Sequence, residues 1–219
     1  MATVYTLHPN NPQTRTVASI VDDLQNGAVM LYPTDTVYAI GCDLNSKSAI
    51  QRVRQIKQLS NDKPLTFLCP SLSNIAQYAV VSDEAYRLMR LLIPGPYTFL
   101  LPATKLVPKL VMNPKRRTTG IRVPDHPICQ ALLSRLDHPI ISASAHVLEE
   151  GNFHKPETLF PSRFELFDSL EKLVDVIVDD GQDPGYQVST ILDMTSGEPV
   201  VVRKGLGWEA IEAWVAEVT

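Results

Sequence analysis

The chain is poor in cysteine, in long apolar runs and in charge of one sign. Cys42, Cys69 and Cys129 are the only three cysteines in 219 residues, widely spaced and without a C-x-x-C pair. That argues against a disulfide framework and against a structural zinc site. His126, His138, His146 and His154 have no recognised ligand spacing, so no metal is assigned to protein side chains. There is no apolar run of membrane length and no basic-then-apolar leader at the N-terminus. The expectation is a cytoplasmic protein with reduced thiols and no membrane partner. Repeats, low-complexity tracts and linker-like shifts in composition are missing too, so one domain is expected over residues 1–219. A formal charge of −4, from 20 basic and 24 acidic side chains, gives no global attraction to nucleic acid.

What is present is a core and an uneven distribution of charge. At 44% hydrophobic residues the chain has enough apolar surface for one sizeable core. Strands are expected at Ala28–Leu31, Leu65–Cys69, Tyr97–Leu101, Thr119–Val123, Ile140–Ser144, Val174–Val178, Thr190–Asp193 and Val200–Arg203. Helices are expected from Ser46 to Leu59, from Ser82 to Leu92, from Asp125 to Leu136 and from Trp208 to Val218. Strands interleaved with helices imply an α/β (α+β) fold, a twisted, mixed open sheet covered by helices. The polar, proline-containing stretch Glu149–Pro161 reads as a loop or lid. Between Lys105 and Arg122 six basic residues occur without an acid, whereas Glu165–Asp183 holds seven acids against Lys172. A segregated basic stripe of this kind, with Lys115, Arg116 and Arg117 at its centre, suits either a solvated face or a local phosphate or nucleic-acid contact.

Polar residues crowd the ends of several strands, where ligands bind in open α/β sheets. In YPTDTVYAIGCD (Tyr32–Asp43), Pro33 ends a strand and Thr34, Asp35, Thr36 and Tyr38 follow at its carboxyl end. In KQLSNDKPL, Lys57 and Lys63 flank a polar turn as two point charges suited to a polyphosphate. PGPYT (Pro94–Thr98) reads as a rigid turn. Thr118–Pro127 carries Arg122, suited to a two-pronged grip on a carboxylate or phosphate, or to an ion pair with Asp125 or another acid. Small hydroxyl residues at Ser142 and Ser144 leave room for a ligand to approach backbone N–H groups or for tight helix packing. Ser189 precedes a strand and Arg203 ends the next one.

Together and in this order, YPTDTVYAIGCD, KQLSNDKPL, PGPYT, GIRVPDHP, SASA and STILD resemble the YrdC/YciO family over about residues 15–205. The resemblance implies a YrdC-like, RibB-related fold with a concave, positively charged cavity and no separate C-terminal domain. It also implies the chemistry of a threonylcarbamoyl-AMP synthase, a nucleotidyltransferase acting in tRNA modification. ATP, Mg²⁺, L-threonine and bicarbonate would be taken and pyrophosphate released. By the same resemblance, Thr34, Arg122 and Ser189 fall near the threonine. Lys57, Lys63, Thr118, Ser142, Ser144 and Arg203 fall on the nucleotide, and Lys57 and Ser144 sit on the catalytic signatures. The implied partners include tRNA or double-stranded RNA, held through the positive surface.

The departures from the family pattern are equally specific. Leu59 stands where the synthase signature has Arg, His146 where it has Asn, and Ala39 where it has Gly, while Val147–Gly151 replaces a short Ser-Gly turn. Losing an arginine that neutralises a transition-state phosphate costs ~3 kcal/mol, about two orders of magnitude in rate. These changes place the chain nearer the YciO-type branch and leave two readings. One is an active or slowed adenylate synthase. The other is a non-synthase paralogue that binds nucleotide or RNA, or hydrolyses the adenylate.

Overall fold

In the computed structural model, described over residues 1–60, 63–145, 162–196 and 198–212, sixteen elements follow one another. They run β1 (Thr3–Thr6), α1 (Thr14–Gln25), β2 (Val29–Tyr32), β3 (Ala39–Asp43), α2 (Lys47–Ile56), β4 (Thr66–Leu68), α3 (Leu72–Tyr78) and α4 (Asp83–Leu92). The second half runs β5 (Tyr97–Pro102), β6 (Thr118–Arg122), α5 (Pro127–Leu136), β7 (Ile140–Ser144), α6 (Arg163–Leu170), β8 (Val176–Asp179), β9 (Thr190–Asp193) and β10 (Val200–Arg203). All ten strands join one open sheet in the order β1-β8-β2-β3-β7-β4-β6-β5-β9-β10. Parallel pairs (β1 with β8, β8 with β2, β4 with β6, β5 with β9) occur beside antiparallel ones, so the sheet is mixed as expected.

The period of two along each strand sorts the side chains between two layers. Phe67, Phe99, Ile121, Ile141 and Leu192 point into one core, which is closed by Ile50 and Val53 of α2, Ile75 of α3, Leu88 and Met89 of α4, and Leu166 of α6. Met30, Tyr32, Leu68, Ile140 and Val178 point into the other, closed by α1 and α5. Helix α1 buries Val17, Ile20, Val21 and Leu24, spaced for one helical face. Helix α5 does the same with Ile128, Cys129, Leu132, Leu133 and Leu136. These two helices cover that face from β1 to β7 and reach Leu68 of β4. Over β6, β5 and β9 no described helix covers it, and the cavity lies there and against the end of β7.

Strands β7, β9 and β10 fall where the sequence reading places them, and the other expected strands shift by one or two residues. Helix α2 stops at Ile56, short of Leu59. Lys57 caps it and Gln58 adopts a left-handed φ of 48°, so the chain turns before Leu59. Helix α5 starts at Pro127 with His126 at its cap, not Asp125. The sequence reading contains no counterpart of β1, α1, β3, α3 or α6. Of the closing helix, residues 208–212 are helical and the remainder lies outside the described residues, as do Glu149–Pro161 and His146. Among the described residues no helix is long and apolar enough to cross a membrane.

Candidate functional site

The open face forms a cavity of about 670 Å³ that gathers eight of the expected site residues: Thr34, Lys57, Lys63, Arg122, Ser142, Ser144, Ser189 and Arg203. Four of these are cations, and no Asp or Glu is among the described lining residues. Leu59, Leu68, Leu100, Val188, Ile191 and Val202 supply the apolar part of the wall. Concentrated positive charge beside an apolar wall suits a ligand with an anionic end and a flat or aliphatic body.

The turn after α2 is held by a residue the sequence reading passed over. Arg54 is buried, and its guanidinium donates to the carbonyls of Lys63 (3.0 Å), Leu110 (3.1 Å) and Ser60. Three carbonyls from two segments converge on one planar cation, which fixes the loop carrying Lys57, Leu59 and Lys63 against the cavity. Burial pushes the Lys57 ammonium down to about 8, because the charged form loses hydration.

Arg122 forms an ion pair with an acid, the second of its two expected roles. It also lines the cavity; Nη2 donates to Asp35 Oδ1 at 2.7 Å, with both side chains 9% exposed. The partner is Asp35, not Asp125, so the carboxylate of the opening motif orients the arginine. Asp35 Oδ2, Arg122 Nε and His126 Nδ1 are buried without a partner among the described residues. Behind them, Tyr38 Oη donates to Asp180 Oδ1 at 2.9 Å, and His126 Nε2 lies 3.8 Å from Asp180 Oδ2. Burial lowers the pKa of His126 against the pull of Asp180 and Asp35.

The hydroxyls divide into committed and available groups. Thr34 Oγ1 donates to the Val37 carbonyl at 2.7 Å and accepts from Thr36 N at 3.2 Å. It therefore shapes the turn as much as it faces the cavity. Ser142 Oγ sits 2.6 Å from Tyr32 Oη, across Gly41. A Cβ on Gly41 would lie 2.8 Å from the Tyr32 ring and 2.9 Å from the Ile141 carbonyl, so only glycine lets the ring lie there. On the opposite side, Arg203 Nε donates to the Ser189 carbonyl and Nη2 to Ser189 Oγ, both at 3.0 Å. A bulge between Val201 and Arg203 sets both Val202 and Arg203 on the cavity wall. The loop before Ser189 lies directly on the Thr36 turn, since a Cβ on Gly185 would come within 1.8 Å of the Thr36 carbonyl oxygen.

Thr118 shares the cavity face of β6 with Gly120 and Arg122, yet it is buried beside Pro102 and is not part of the cavity wall. The basic stripe splits. Arg122 enters the cavity, while Lys115, Arg116 and Arg117 occupy an exposed turn before β6, where Arg116 pairs with Asp193 at 2.6 Å. Among the described residues no group of three or more His, Cys, Asp or Glu side chains could hold a metal ion.

An open mixed sheet with a cationic, half-apolar cavity on one face defines the class of the chain, an α/β protein. It belongs to the Sua5/YciO/YrdC family, whose model, described as telomere recombination, matches residues 22–205. It is 41% identical over 207 residues to YciO of Escherichia coli K12, covering 94% of this chain and 97% of the relative. The crystal structure of E. coli YciO superposes with a TM-score of 0.85 at 40% identity, over 94% of this chain and 97% of that one. A threonylcarbamoyl-AMP synthase of Vibrio vulnificus is 37% identical over 131 residues, 58% of this chain and 70% of the relative. The same fold occurs in Pyrococcus abyssi Sua5 crystallised with L-threonine, with a TM-score of 0.83 at 24% identity, over 97% of this chain and 60% of that one.

Proposed function

We propose that the cavity binds ATP and L-threonine and handles threonylcarbamoyl-AMP, as the synthases of this family do. The supporting observation is the convergence of Lys57, Lys63, Arg122 and Arg203 on one cavity with no acid among its described lining residues. Four positive groups in a half-buried space favour a polyphosphate and a carboxylate together. Arg122, oriented by Asp35, holds the amino-acid carboxylate, while Lys57, Lys63 and Arg203 spread the charge of the phosphates. The apolar wall takes the adenine ring.

In this reading the threonine amine attacks the carbon of bicarbonate, losing water to leave a carbamate. A carbamate oxygen then attacks the α-phosphate and pyrophosphate departs. No side-chain nucleophile is required, so the protein contributes position and charge. Mg²⁺ fits as a companion of the triphosphate, since the described lining residues include no carboxylate.

A second reading, binding with little turnover, is favoured by Leu59, an apolar residue in the wall where the family signature carries Arg. Purified protein with ATP, Mg²⁺, L-threonine and bicarbonate, followed for pyrophosphate and the adenylate, separates the two. Product from the wild type supports synthesis. Product only after Leu59→Arg supports binding without turnover, and no product with no binding of either ligand refutes both. An RNA contact at Lys115, Arg116 and Arg117 rests on that turn's exposure. It predicts salt-sensitive RNA binding that is lost in Arg116→Glu with Arg117→Glu.

A further inference from the structure

Thr98, in the segment read as a rigid turn, stands on the cavity wall. Its Oγ1 lies 2.9 Å from Ser189 Oγ. Arg203 Nη2 is 3.0 Å from the same Ser189 oxygen and, being a guanidinium, can only donate to it. Ser189 thus has one lone pair taken by a cation and its own proton to place. Two arrangements satisfy the pair: Ser189 donates to Thr98, or Thr98 donates to Ser189. The first leaves the Thr98 proton free toward the cavity. A negatively charged oxygen at the wall selects that arrangement, and the string Arg203 to Ser189 to Thr98 then polarises in one direction.

The register supplies the second half of the argument. Phe99 lies opposite Ile121 and Leu100 opposite Gly120, so the next step of the β5–β6 pairing sets Thr98 against Arg122 on the cavity face. Both ends of this small surface are therefore positive, with Arg122 at one end and Arg203 at the other. The two arginines also sense each other, since Arg122 adds to the burial that lowers Arg203 to about 10. Two like charges held near two hydroxyls in a half-buried wall are relieved by an anion placed between them.

We propose that Thr98 is a ligand-binding residue, the terminal hydroxyl donor of an Arg203–Ser189–Thr98 string that, with Arg122, grips one anionic group. Within the proposed function that group is the carboxylate of the amino acid, touched by Thr98 and Arg122. Arg203 acts on it only through Ser189, which engages its Nε and Nη2, and faces the phosphates with Nη1. This identification rests on that reading. The grip on an anion as such does not.

The test is calorimetric titration of the intact protein, as wild type, Thr98→Val and Thr98→Ser, with L-threonine and separately with inorganic pyrophosphate. The expected result is L-threonine binding that weakens at least tenfold in Thr98→Val and returns to within about threefold of wild type in Thr98→Ser, with pyrophosphate binding changed by less than about threefold. If Thr98→Val does not fold, Thr98→Ala and Ser189→Ala take its place, and each is expected to weaken binding to the same degree. Loss confined to pyrophosphate, with no threonine binding by the wild type, upholds the anion grip and refutes its assignment to an amino acid. Wild-type affinity for L-threonine in Thr98→Val, or for pyrophosphate where that is the one probe the wild type binds, overturns the proposal. So does a wild type that binds neither probe.

Discussion

Lys57 offers the sharpest handle on whether this cavity is built for polyanions. Its ammonium titrates near 8 in the free protein, lowered by burial from the ordinary 10.5. At pH 7 about nine-tenths of the molecules carry the charge, and at pH 9 about one-tenth. A phosphate seated beside Lys57 favours the charged form and pulls the pKa back toward its ordinary value. The sign follows directly. Binding takes up protons above pH 7, about half a proton at pH 8 and most of one at pH 9, and affinity falls about tenfold between pH 7 and pH 9. The ligand-free protein behaves in the opposite sense. Because the folded pKa is the lower one, Lys57's contribution to stability rises as pH climbs from about 8 toward 10.5. The assay is calorimetry of ATP binding in paired buffers of different ionisation enthalpy at pH 7, 8 and 9, for wild type and Lys57→Arg. The arginine keeps its charge throughout, so the difference between the proteins isolates Lys57. Equal proton uptake in the two, or affinity flat from pH 7 to pH 9, refutes a phosphate at Lys57.

Three other substitutions probe the scaffold. Arg54→Met strips the carbonyls of Ser60, Lys63 and Leu110 of their shared donor; thermal unfolding should show a loss of roughly 3 kcal/mol or more, with weakened ATP binding. Asp35→Asn leaves the Arg122 guanidinium without its ion-pair partner in a nearly buried site; denaturant unfolding should register a cost of about 3–5 kcal/mol. Leu132→Ala empties a fully buried position between α5 and the sheet; it should cost roughly 2–5 kcal/mol in the same measurement and leave ligand affinity unchanged.

Much of the sheet is readable because several strands are apolar runs or alternations bounded by proline or glycine. Strand β7 begins just after Pro139, and β9 and β10 carry bulky β-branched or aliphatic residues. Strand β3 is hidden for the opposite reason. Its Ala39, Gly41 and Asp43 have low strand propensity and are held in place by β2 and β7 on either side. Helix α1 has no side-chain cap at Gln13, so nothing local marks its start. Helix α6 does carry a signal, since Ser162 and Glu165 form a capping box. The two core layers that decide which face stays open depend on pairings between distant strands, which no local pattern contains.

The candidate site divides in the same way. Lys57, Lys63, Arg122, Ser189 and Arg203 stand out as charged or hydroxyl residues at element ends, and the fold brings them to one wall. Arg54 and Thr98 do not stand out, and Asp35 stands out without its role, because these roles arise only from contact with partners far along the chain: Asp35 with Arg122, Arg54 with Leu110, Thr98 with Ser189. Thr34 and Thr118 show the reverse. Their positions in the sequence pattern are suggestive, yet one hydroxyl is engaged by its own turn and the other residue lies off the cavity wall.

If the exposed face of the sheet takes a nucleotide and an amino acid together, as proposed, a crystal structure of the protein grown with ATP, Mg²⁺ and L-threonine will show both. Phosphates are expected against Lys57, Lys63 and Arg203, adenine on the wall of Leu100, Ile191 and Val202, and the threonine carboxylate at Arg122. Ligands found only at the exposed 113–117 turn, or a cavity that stays empty at saturating ligand, would contradict the proposal.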